Sequence, residues 1–514
     1  MDLFIKIAML LVFFGVMIGV GLYCRKHSTD VNGFVLGGRS VGPWLTAFAY
    51  GTSYFSAVVF VGYAGQFGWK YGVAATWAGI GNAIIGSLIA WVVLGRRTRV
   101  MTQHLDSATM PQFFERRFSS KALKLAASAI IFVFLIPYTA SLYNGLSRLF
   151  GMAFDIDYSV CVIAMAVLTG IYVIAGGYMA TAINDFIQGI IMIVGIIAVI
   201  VAVLNTQGGL TNALSELGKV VDPSVSTEPG AFNSFFGPDP LNLLGVVILT
   251  SLGTWGLPQM VQKFYAIKSE QAIKKGTVIS TVFALIVAGG CYFLGGFGRL
   301  FGDKVDVAKE GFDAIIPAML SDLSPILIAV VVILVLSASM STLSSLVLAS
   351  SSTLTLDFIK GTIVKKLSEK KQLLIMRLLI VVFILISVIL ALIQYKSSVT
   401  FIAQLMGVSW GALAGAFLAP FLYSLYWKRV TKPAVWVNFV FSTVVMLANI
   451  VAKDWFPNVL QSPINAGAFC MLAGLIIVPV VSLFTKRPEQ ELVSHVFSCY
   501  DRKVEVTAKE SIGN

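Results

Sequence analysis

The chain has 514 residues, of which 57% are hydrophobic and only 12% are charged, and its formal net charge is +12. Soluble proteins carry about 25% charged residues, so the composition excludes an ordinary soluble domain and indicates a membrane protein. The basic residues are spread over many short loops, which argues against a nucleic-acid-binding face.

Apolar stretches long enough to cross about 30 Å of hydrocarbon as helices recur along the whole chain. We therefore predict an all-α polytopic membrane protein with thirteen transmembrane helices. The predicted spans cover residues 3–23, 42–67, 71–95, 122–149, 157–175, 181–204, 240–263, 275–301, 325–355, 372–394, 398–426, 431–451 and 464–485.

The second and seventh spans are interrupted near their middle by polar and helix-breaking residues. Span two contains the stretch 49–56, with Gly51 and several hydroxyl residues, and span seven contains the stretch 250–258, which ends at Pro258. In a membrane, irregular backbone persists only where it is buried in protein or lines a cavity. Because the two spans are five apart, we predict two inverted repeats of five helices, each with a discontinuous first helix, around a site at the membrane midplane.

Asp185, in the sixth span, is a carboxylate set deep in an apolar stretch. An ionised group at the bilayer centre costs about 2.5–3.5 kcal/mol on insertion scales, and a chain that keeps one usually handles a cation or a proton with it. Ion transport is thus the first hypothesis. The alternative is a structural carboxylate close to the short inner loop at Gly176 and Gly177.

The ninth span is rich in hydroxyl residues. Ala338, Ser341 and Ser345 share one helical face at spacings of three and four. Hydroxyl oxygens are suitable ligands for a small alkali cation, and unwound carbonyls of span two could supply further ligands. The alternative is that these small residues bond to their own backbone or allow close helix packing.

Lys and Arg residues mark the inner loops. Basic loops follow every odd-numbered span except the fifth, whereas the even-numbered loops are poor in Lys and Arg. By the positive-inside rule, we predict a multi-pass protein of the cell membrane with its N-terminus outside and its C-terminus in the cytoplasm.

Four motifs together resemble those of the sodium/solute symporter family, which contains bacterial proline and pantothenate symporters and the sodium–glucose cotransporters. They lie at 34–40, 109–114, 176–188 and 340–345, in the family's order. The resemblance extends from about residue 30 to 430. It implies an extra N-terminal helix over 1–30, a first repeat over 40–204, a second repeat over 240–427, two extra helices over 428–486 and a cytoplasmic tail over 487–514.

The same resemblance implies a sodium site. Its ligands here would be the carbonyl oxygens of Thr52, Phe55 and Ala338 and the hydroxyls of Ser341 and Thr342. Some members have a second sodium site nearer the cytoplasm, which would involve Asp185, Ser341, Ser344 and Ser345. Two sodium ions in each cycle are therefore an open alternative to one.

The solute is less sharply indicated. The candidate contact residues in spans two, four, seven and eleven are Ser53, Tyr54, Ser56, Tyr138, Thr250, Thr254, Trp255 and Gln404. Proline symporters of the family carry an aspartate at the Tyr54 position and an aromatic pair at the positions of Thr250 and Thr254, which disfavours proline. The stretch 53–57 is closer to the pantothenate and monocarboxylate branches, so we favour a small carboxylate-bearing solute.

The sequence thus predicts a sodium-coupled symporter that works by alternating access and is not an enzyme, with Na⁺ as the coupling ion. Its expected partners are a small organic solute, sodium and the lipid bilayer, without nucleic acid, and its expected state is a monomer or weak oligomer. Two alternatives remain: a proton-coupled carrier that uses Asp185, and a sodium–sugar symporter.

Overall fold

The computed structural model describes residues 2–25, 29–154, 157–360, 363–364, 367–397 and 402–501, and within these ranges the chain forms helices and no strands. The helices up to the long outer loop are α1 (Asp2–Cys24), α2 (Val31–Leu36), α3 (Pro43–Tyr54), α4 (Ala64–Tyr71), α5 (Thr76–Gly81), α6 (Arg96–His104), α7 (Met110–Phe118), α8 (Lys121–Phe154), α9 (Tyr158–Thr206) and α10 (Leu210–Lys219).

The remaining α-helices follow that loop. They are α11 (Pro240–Gly256), α12 (Pro258–Ala266), α13 (Glu270–Gly295), α14 (Val307–Glu310), α15 (Ile315–Leu320), α16 (Pro325–Thr353), α17 (Glu369–Ser397), α18 (Ile402–Tyr426), α19 (Lys432–Val451), α20 (Pro463–Phe484) and α21 (Gln490–Phe497). Four π-helical segments extend them: Val58–Tyr63, Asn82–Ile89, Trp91–Gly95 and Leu354–Ile359.

Ten helical stretches within the described ranges are long and apolar enough to cross a membrane, and α11 with α12, bent by 46°, could form an eleventh. The sequence predicted thirteen spans. The counts differ because Val58–His104 runs through part of span two and all of span three, and α9 runs through spans five and six. The all-helical membrane fold is confirmed, whereas the number thirteen stays a prediction.

α9 is not a single straight helix. Its 49 residues are kinked at Gly177, where φ is 56° and ψ is −145°. A Cβ atom at this position would lie 2.7 Å from the carbonyl oxygen of Phe34, and glycine adopts positive φ without the steric cost that other residues meet. The kink therefore separates the two predicted spans at the Gly176–Gly177 pair.

Both predicted interruptions are present. α3 ends at Tyr54, Phe55 is extended (φ −82°, ψ 121°), and helical structure resumes in the π-helical segment that begins at Val58. α11 ends at Gly256, Leu257 is extended (φ −77°, ψ 123°), and Pro258 begins α12. Proline is well placed there, because the first residue of a helix needs no amide hydrogen bond.

α16 lies in the middle of the bundle. It packs against α9, α8, α3, α1 and α17, and its residues from Val331 to Thr353 are buried. α18 is nearly as deeply buried and packs against α20, α19, α8 and α11. The hydroxyl residues of α16 therefore face other helices and the break after α3, with almost no contact with lipid.

Two arginines, Arg117, which is buried, and Arg39, which is half-buried, bond to backbone carbonyls of other segments on the predicted inner side. Arg39 donates to the Tyr265 carbonyl at 3.2 Å and to the Ser107 carbonyl at 2.6 Å. Arg117 donates to the Ser424 carbonyl at 3.3 Å, and burial lowers the pKa of Arg117 to about 10, so it stays charged at neutral pH. These basic residues contribute to helix packing in addition to their role in topology.

The first part of the predicted C-terminal tail docks on the helices. The ring of Tyr500 lies 4.5 Å from the guanidinium of Arg97, and its hydroxyl donates to the Leu425 carbonyl at 2.5 Å. Val496 and Cys499 are buried beneath the segment. Residues 502–514 of this tail and 26–28 of the predicted N-terminal segment lie outside the described residues.

Candidate ion and solute sites

The end of α3 leaves backbone oxygens available for other partners. Because the helix stops at Tyr54, the carbonyl oxygens of Thr52 and Phe55 face α16 instead of continuing a helical ladder. The Thr342 hydroxyl lies 3.0 Å from the Thr52 oxygen and 3.2 Å from the Phe55 oxygen. The broken helix and the hydroxyl-rich helix thus meet at these atoms.

Three further close approaches involve these atoms, one between the two helices and two within α16. The Ser341 hydroxyl lies 3.2 Å from the Thr52 oxygen and 3.0 Å from the Ala338 oxygen, and the Thr342 hydroxyl lies 3.1 Å from the Ala338 oxygen. The structure therefore brings together all the oxygens predicted as sodium ligands. We call them the five-oxygen cluster: the carbonyl oxygens of Thr52, Phe55 and Ala338 and the hydroxyl oxygens of Ser341 and Thr342.

The five-oxygen cluster has more acceptors than protons. Two hydroxyls supply two protons, which cannot serve all five of these approaches at once. Oxygen ligands about 2.4 Å from a hard cation and at right angles lie about 3.4 Å from each other, close to the spacings seen here. The ligands are neutral and buried, so one small monovalent cation fits the site chemically.

Asp185 faces another charged residue. Its side chain is fully buried in α9, and its Oδ2 atom lies 3.8 Å from the Nζ atom of Lys263 in α12. Lys263 Nζ also donates to the Ser345 hydroxyl at 3.0 Å and lies 5.1 Å from the centre of the Tyr178 ring. The carboxylate is therefore paired inside the protein and is not exposed to solvent.

The serines predicted for a second ion site have other partners. The Ser344 hydroxyl donates to the Ser341 carbonyl at 2.9 Å, within its own helix. Ser345 contacts Lys263, and its hydroxyl is 2.8 Å from that of Ser53. Ser53, predicted as a solute contact, thus faces the Asp185 region.

Aromatic side chains fill the space beside the break in span two. We call Tyr54, Tyr63, Tyr138, Tyr292 and Trp410 the aromatic cluster. The Trp410 ring lies 5.6 Å from that of Tyr54 and 6.0 Å from that of Tyr138, and the side chains of Tyr63 and Tyr292 lie close to the Tyr54 hydroxyl. Asn82 donates to the Tyr54 hydroxyl.

Several polar atoms of the aromatic cluster have no hydrogen-bond partner among the described residues. They are the hydroxyls of Tyr63, Tyr138 and Tyr292 and the indole nitrogen of Trp410. Buried polar atoms without partners are uncommon in folded proteins, and each such atom is available to a ligand. Four potential donors therefore lie in one buried region beside the break in span two, where Tyr138 is also near Trp410 and Tyr292 is also near Tyr54.

Three predicted solute contacts in α11 have their polar atoms engaged elsewhere. Thr250 donates to the Val246 carbonyl at 2.9 Å, Thr254 to the Gly86 carbonyl at 2.9 Å, and Trp255 to the Ile85 carbonyl at 2.9 Å. Of the other candidates, Tyr54 and Tyr138 belong to the aromatic cluster. The Ser56 hydroxyl accepts a hydrogen bond from the Val58 backbone N–H at 3.2 Å, and Gln404 is half-buried in α18.

The sequence did not single out Lys263, Asn82, Tyr63, Tyr292 or Trp410. Lys263 ends a predicted span, where a lysine ordinarily extends towards the membrane surface. The aromatic residues lie in apolar helices, where packing is their usual role. One available signal was the polar Asn82 in an otherwise apolar stretch, since a buried amide requires a partner.

Comparison with known proteins gives consistent matches along the chain. A family model described as the sodium:solute symporter family matches residues 34–440. The osmoregulated proline transporter OpuE of Bacillus subtilis (strain 168) is 29% identical over 481 residues, covering 93% of this chain and 94% of that protein. The sodium/proline symporter of Staphylococcus aureus (strain JH9) is 30% identical over 495 residues, with 93% of each chain covered.

The fold is similar to that of a solved sodium-coupled transporter. A Na⁺-coupled sialic acid symporter in a substrate-bound outward-open state matches with a TM-score of 0.73, over 95% of this chain and 99% of that chain. The identity is 16%, so the likeness concerns the arrangement of helices alone.

Proposed function

The chain belongs to the sodium:solute symporter family, and we propose that it carries a small carboxylate-bearing solute into the cell with sodium bound at the five-oxygen cluster. The family and these relatives make it a multi-pass, sodium-coupled solute transporter and not an enzyme. The solute, the ion-binding residues and the orientation of the termini are the proposed part.

One observation carries the assignment of the ion site. The carbonyls of Thr52 and Phe55 come from the broken helix, whereas Ala338, Ser341 and Thr342 come from α16, and all five oxygens meet. An ion held between two helices binds only when the helices are close together. Sodium therefore stabilises one arrangement of α3 against α16, which is the differential affinity that coupling requires.

The aromatic cluster is the proposed solute site, because the break links it to the ion site. Tyr54 contributes its side chain to the aromatic cluster, and the next residue, Phe55, contributes its carbonyl to the five-oxygen cluster. Sodium binding fixes the Phe55 backbone and hence the position of Tyr54. Loaded carrier then changes to the inward-facing state, and sodium leaves into the low-sodium cytoplasm.

The polar atoms of the aromatic cluster favour an acceptor-rich solute. Tyrosine hydroxyls and an indole N–H can donate to a carboxylate, whose ionised oxygens are acceptors only. The rings supply apolar contact for the rest of a small molecule. An amino acid, a monocarboxylate or pantothenate has this combination of features.

Proline is the second candidate, favoured by the similarity to proline transporters along almost the whole chain. Tyr54, Thr250 and Thr254 depart from the residues that proline symporters carry at these positions. A sugar is a weaker alternative, because the aromatic cluster offers donors but few amide or charged groups.

The proposed topology has thirteen spans. We place the N-terminus outside and the C-terminus in the cytoplasm of the cell membrane. The proposed units are the helix over 1–30, inverted repeats over 40–204 and 240–427, two further helices over 428–486 and the tail over 487–514. The breaks in α3–α4 and α11–α12 at matched positions support the repeats.

A thermal-shift panel on the purified protein tests the solute assignment. We expect a monocarboxylate, pantothenate or an amino acid to raise the melting temperature in sodium chloride and not in choline chloride, because a ligand stabilises only the state that binds it. The panel contains lactate, pyruvate, pantothenate, proline and glucose. Stabilisation by glucose alone, or equal stabilisation without sodium, would contradict the proposal.

Trp410→Phe keeps a ring in the aromatic cluster but removes the indole N–H. We expect it to weaken binding of the stabilising solute by about tenfold, the loss of one hydrogen bond to a charged group. Trp91→Phe is the matched control, because Trp91 is a buried indole without a described partner that packs against Tyr50 and Phe264 instead. Equal effects of both variants would show that Trp410 has only a structural role.

A further inference from the structure

Lys263 is a buried cation within the membrane part of the protein. Its side chain is 2% exposed, and its Nζ atom lies 3.8 Å from Asp185 Oδ2 and 3.0 Å from Ser345 Oγ. Lys263 belongs to α12, Asp185 to α9 and Ser345 to α16. One ammonium group therefore connects three helices that meet beside the five-oxygen cluster.

The ammonium contacts half of the residues that were predicted to hold a second sodium ion. Those residues are Asp185, Ser341, Ser344 and Ser345. Ser341 already belongs to the five-oxygen cluster, and the Ser344 hydroxyl donates to a carbonyl of its own helix at 2.9 Å. Asp185 and Ser345, the two remaining groups, are the ones that face Lys263.

The local charge leaves no counterion for another cation. Asp185 is the one carboxylate that the described residues place next to Lys263. In a low-dielectric interior, one carboxylate balances one monovalent cation, and a second cation would be repelled by the ammonium. Lys263 and a sodium ion at Asp185 are therefore mutually exclusive.

We propose that the Lys263 ammonium replaces the second sodium ion, so that this chain binds a single sodium, at the five-oxygen cluster. The inference rests on the proposed function for that cluster. The tethered cation neutralises Asp185 permanently and takes no part in the ion gradient. Lys263 thus determines how many sodium ions accompany each solute.

Counting bound sodium tests this inference without knowledge of the solute. Purified full-length protein is saturated with radioactive sodium, and bound ions are counted per protein molecule. We expect one ion for the natural protein and two for Lys263→Met, because the uncompensated Asp185 then attracts a cation. In the double variant that combines Lys263→Met with Asp185→Asn, the count should return to one. The control is Lys268→Met, because Lys268 lies outside the site, and its count should stay at one.

Two results would overturn the inference. The first is two bound ions in the natural protein, a measurement that does not depend on any variant folding. The second is a count of one in folded Lys263→Met. If the natural protein bound no sodium, the five-oxygen cluster would not be a sodium site, and both the proposed function and the role of Lys263 would be wrong. If it bound two sodium ions, only the role of Lys263 would be wrong, and the proposed function would remain.

Discussion

Thr342→Val and Ser341→Ala should each raise the sodium concentration needed for half-maximal stabilisation of the purified protein by about 10- to 100-fold. Each variant removes one oxygen from the five-oxygen cluster, and an interaction with a charged group contributes about 1.5–3 kcal/mol. Valine matches threonine in shape, so the packing of α16 against α3 is kept. The measurement is the melting temperature against sodium chloride, with choline chloride keeping the ionic strength constant.

Ser352→Ala is the control for these variants. Ser352 is buried in the same helix, and its hydroxyl donates to the Ala349 carbonyl at 3.2 Å, outside the five-oxygen cluster. Its sodium dependence should be that of the natural protein. If Thr342→Val and Ser341→Ala matched it, the assigned ion site would be wrong.

Breaking the Asp185–Lys263 pair should destabilise the protein strongly. Lys263→Met or Asp185→Asn alone leaves one buried group without its partner, and the loss of one member of a buried ion pair costs about 3–5 kcal/mol. The double variant leaves neither charge, so it should be more stable than Lys263→Met. The comparison is made by thermal unfolding in sodium-free choline buffer, where no sodium can replace the ammonium.

The double-mutant cycle separates pairing from simple packing. If the effects of Lys263→Met and Asp185→Asn were additive, the two side chains would not interact, and the 3.8 Å approach would have no energetic meaning. Adding sodium to Lys263→Met should then recover part of the lost stability, whereas the double variant should show no such extra effect.

The main features of the fold could be predicted from the sequence because they depend on local composition. Apolar length identifies membrane helices, and glycine, proline and hydroxyl residues mark the breaks at Phe55 and Leu257. The five ion-binding candidates could be predicted as well, because their motifs belong to a family pattern. The structure then brings these oxygens together.

Side-chain direction could not be predicted. Lys263 lies at the end of an apolar run, and the sequence does not show whether it extends towards water or turns inward to Asp185. The same applies to Trp410, since a tryptophan in an apolar helix is usually a packing residue. Both roles depend on contacts with helices that are distant in the sequence.

The partners of Thr254 and Trp255 could not be predicted either. They bond to the Gly86 and Ile85 carbonyls, which belong to the π-helical segment Asn82–Ile89. A π-helix shifts backbone hydrogen bonds from the usual i→i−4 pattern, so carbonyls become available to side chains of neighbouring helices. No residue in this segment indicates such a shift in advance.

Sodium-driven uptake into liposomes tests the central claim most directly. The solute is the one that stabilises the purified protein in sodium, and the liposomes have an inward sodium gradient, no pH gradient and a clamped membrane potential. We predict accumulation of the solute above its external concentration, and loss of this accumulation in Thr342→Val at the same sodium concentration. Accumulation driven by a proton gradient without sodium, or unchanged accumulation in Thr342→Val, would contradict sodium coupling at the five-oxygen cluster.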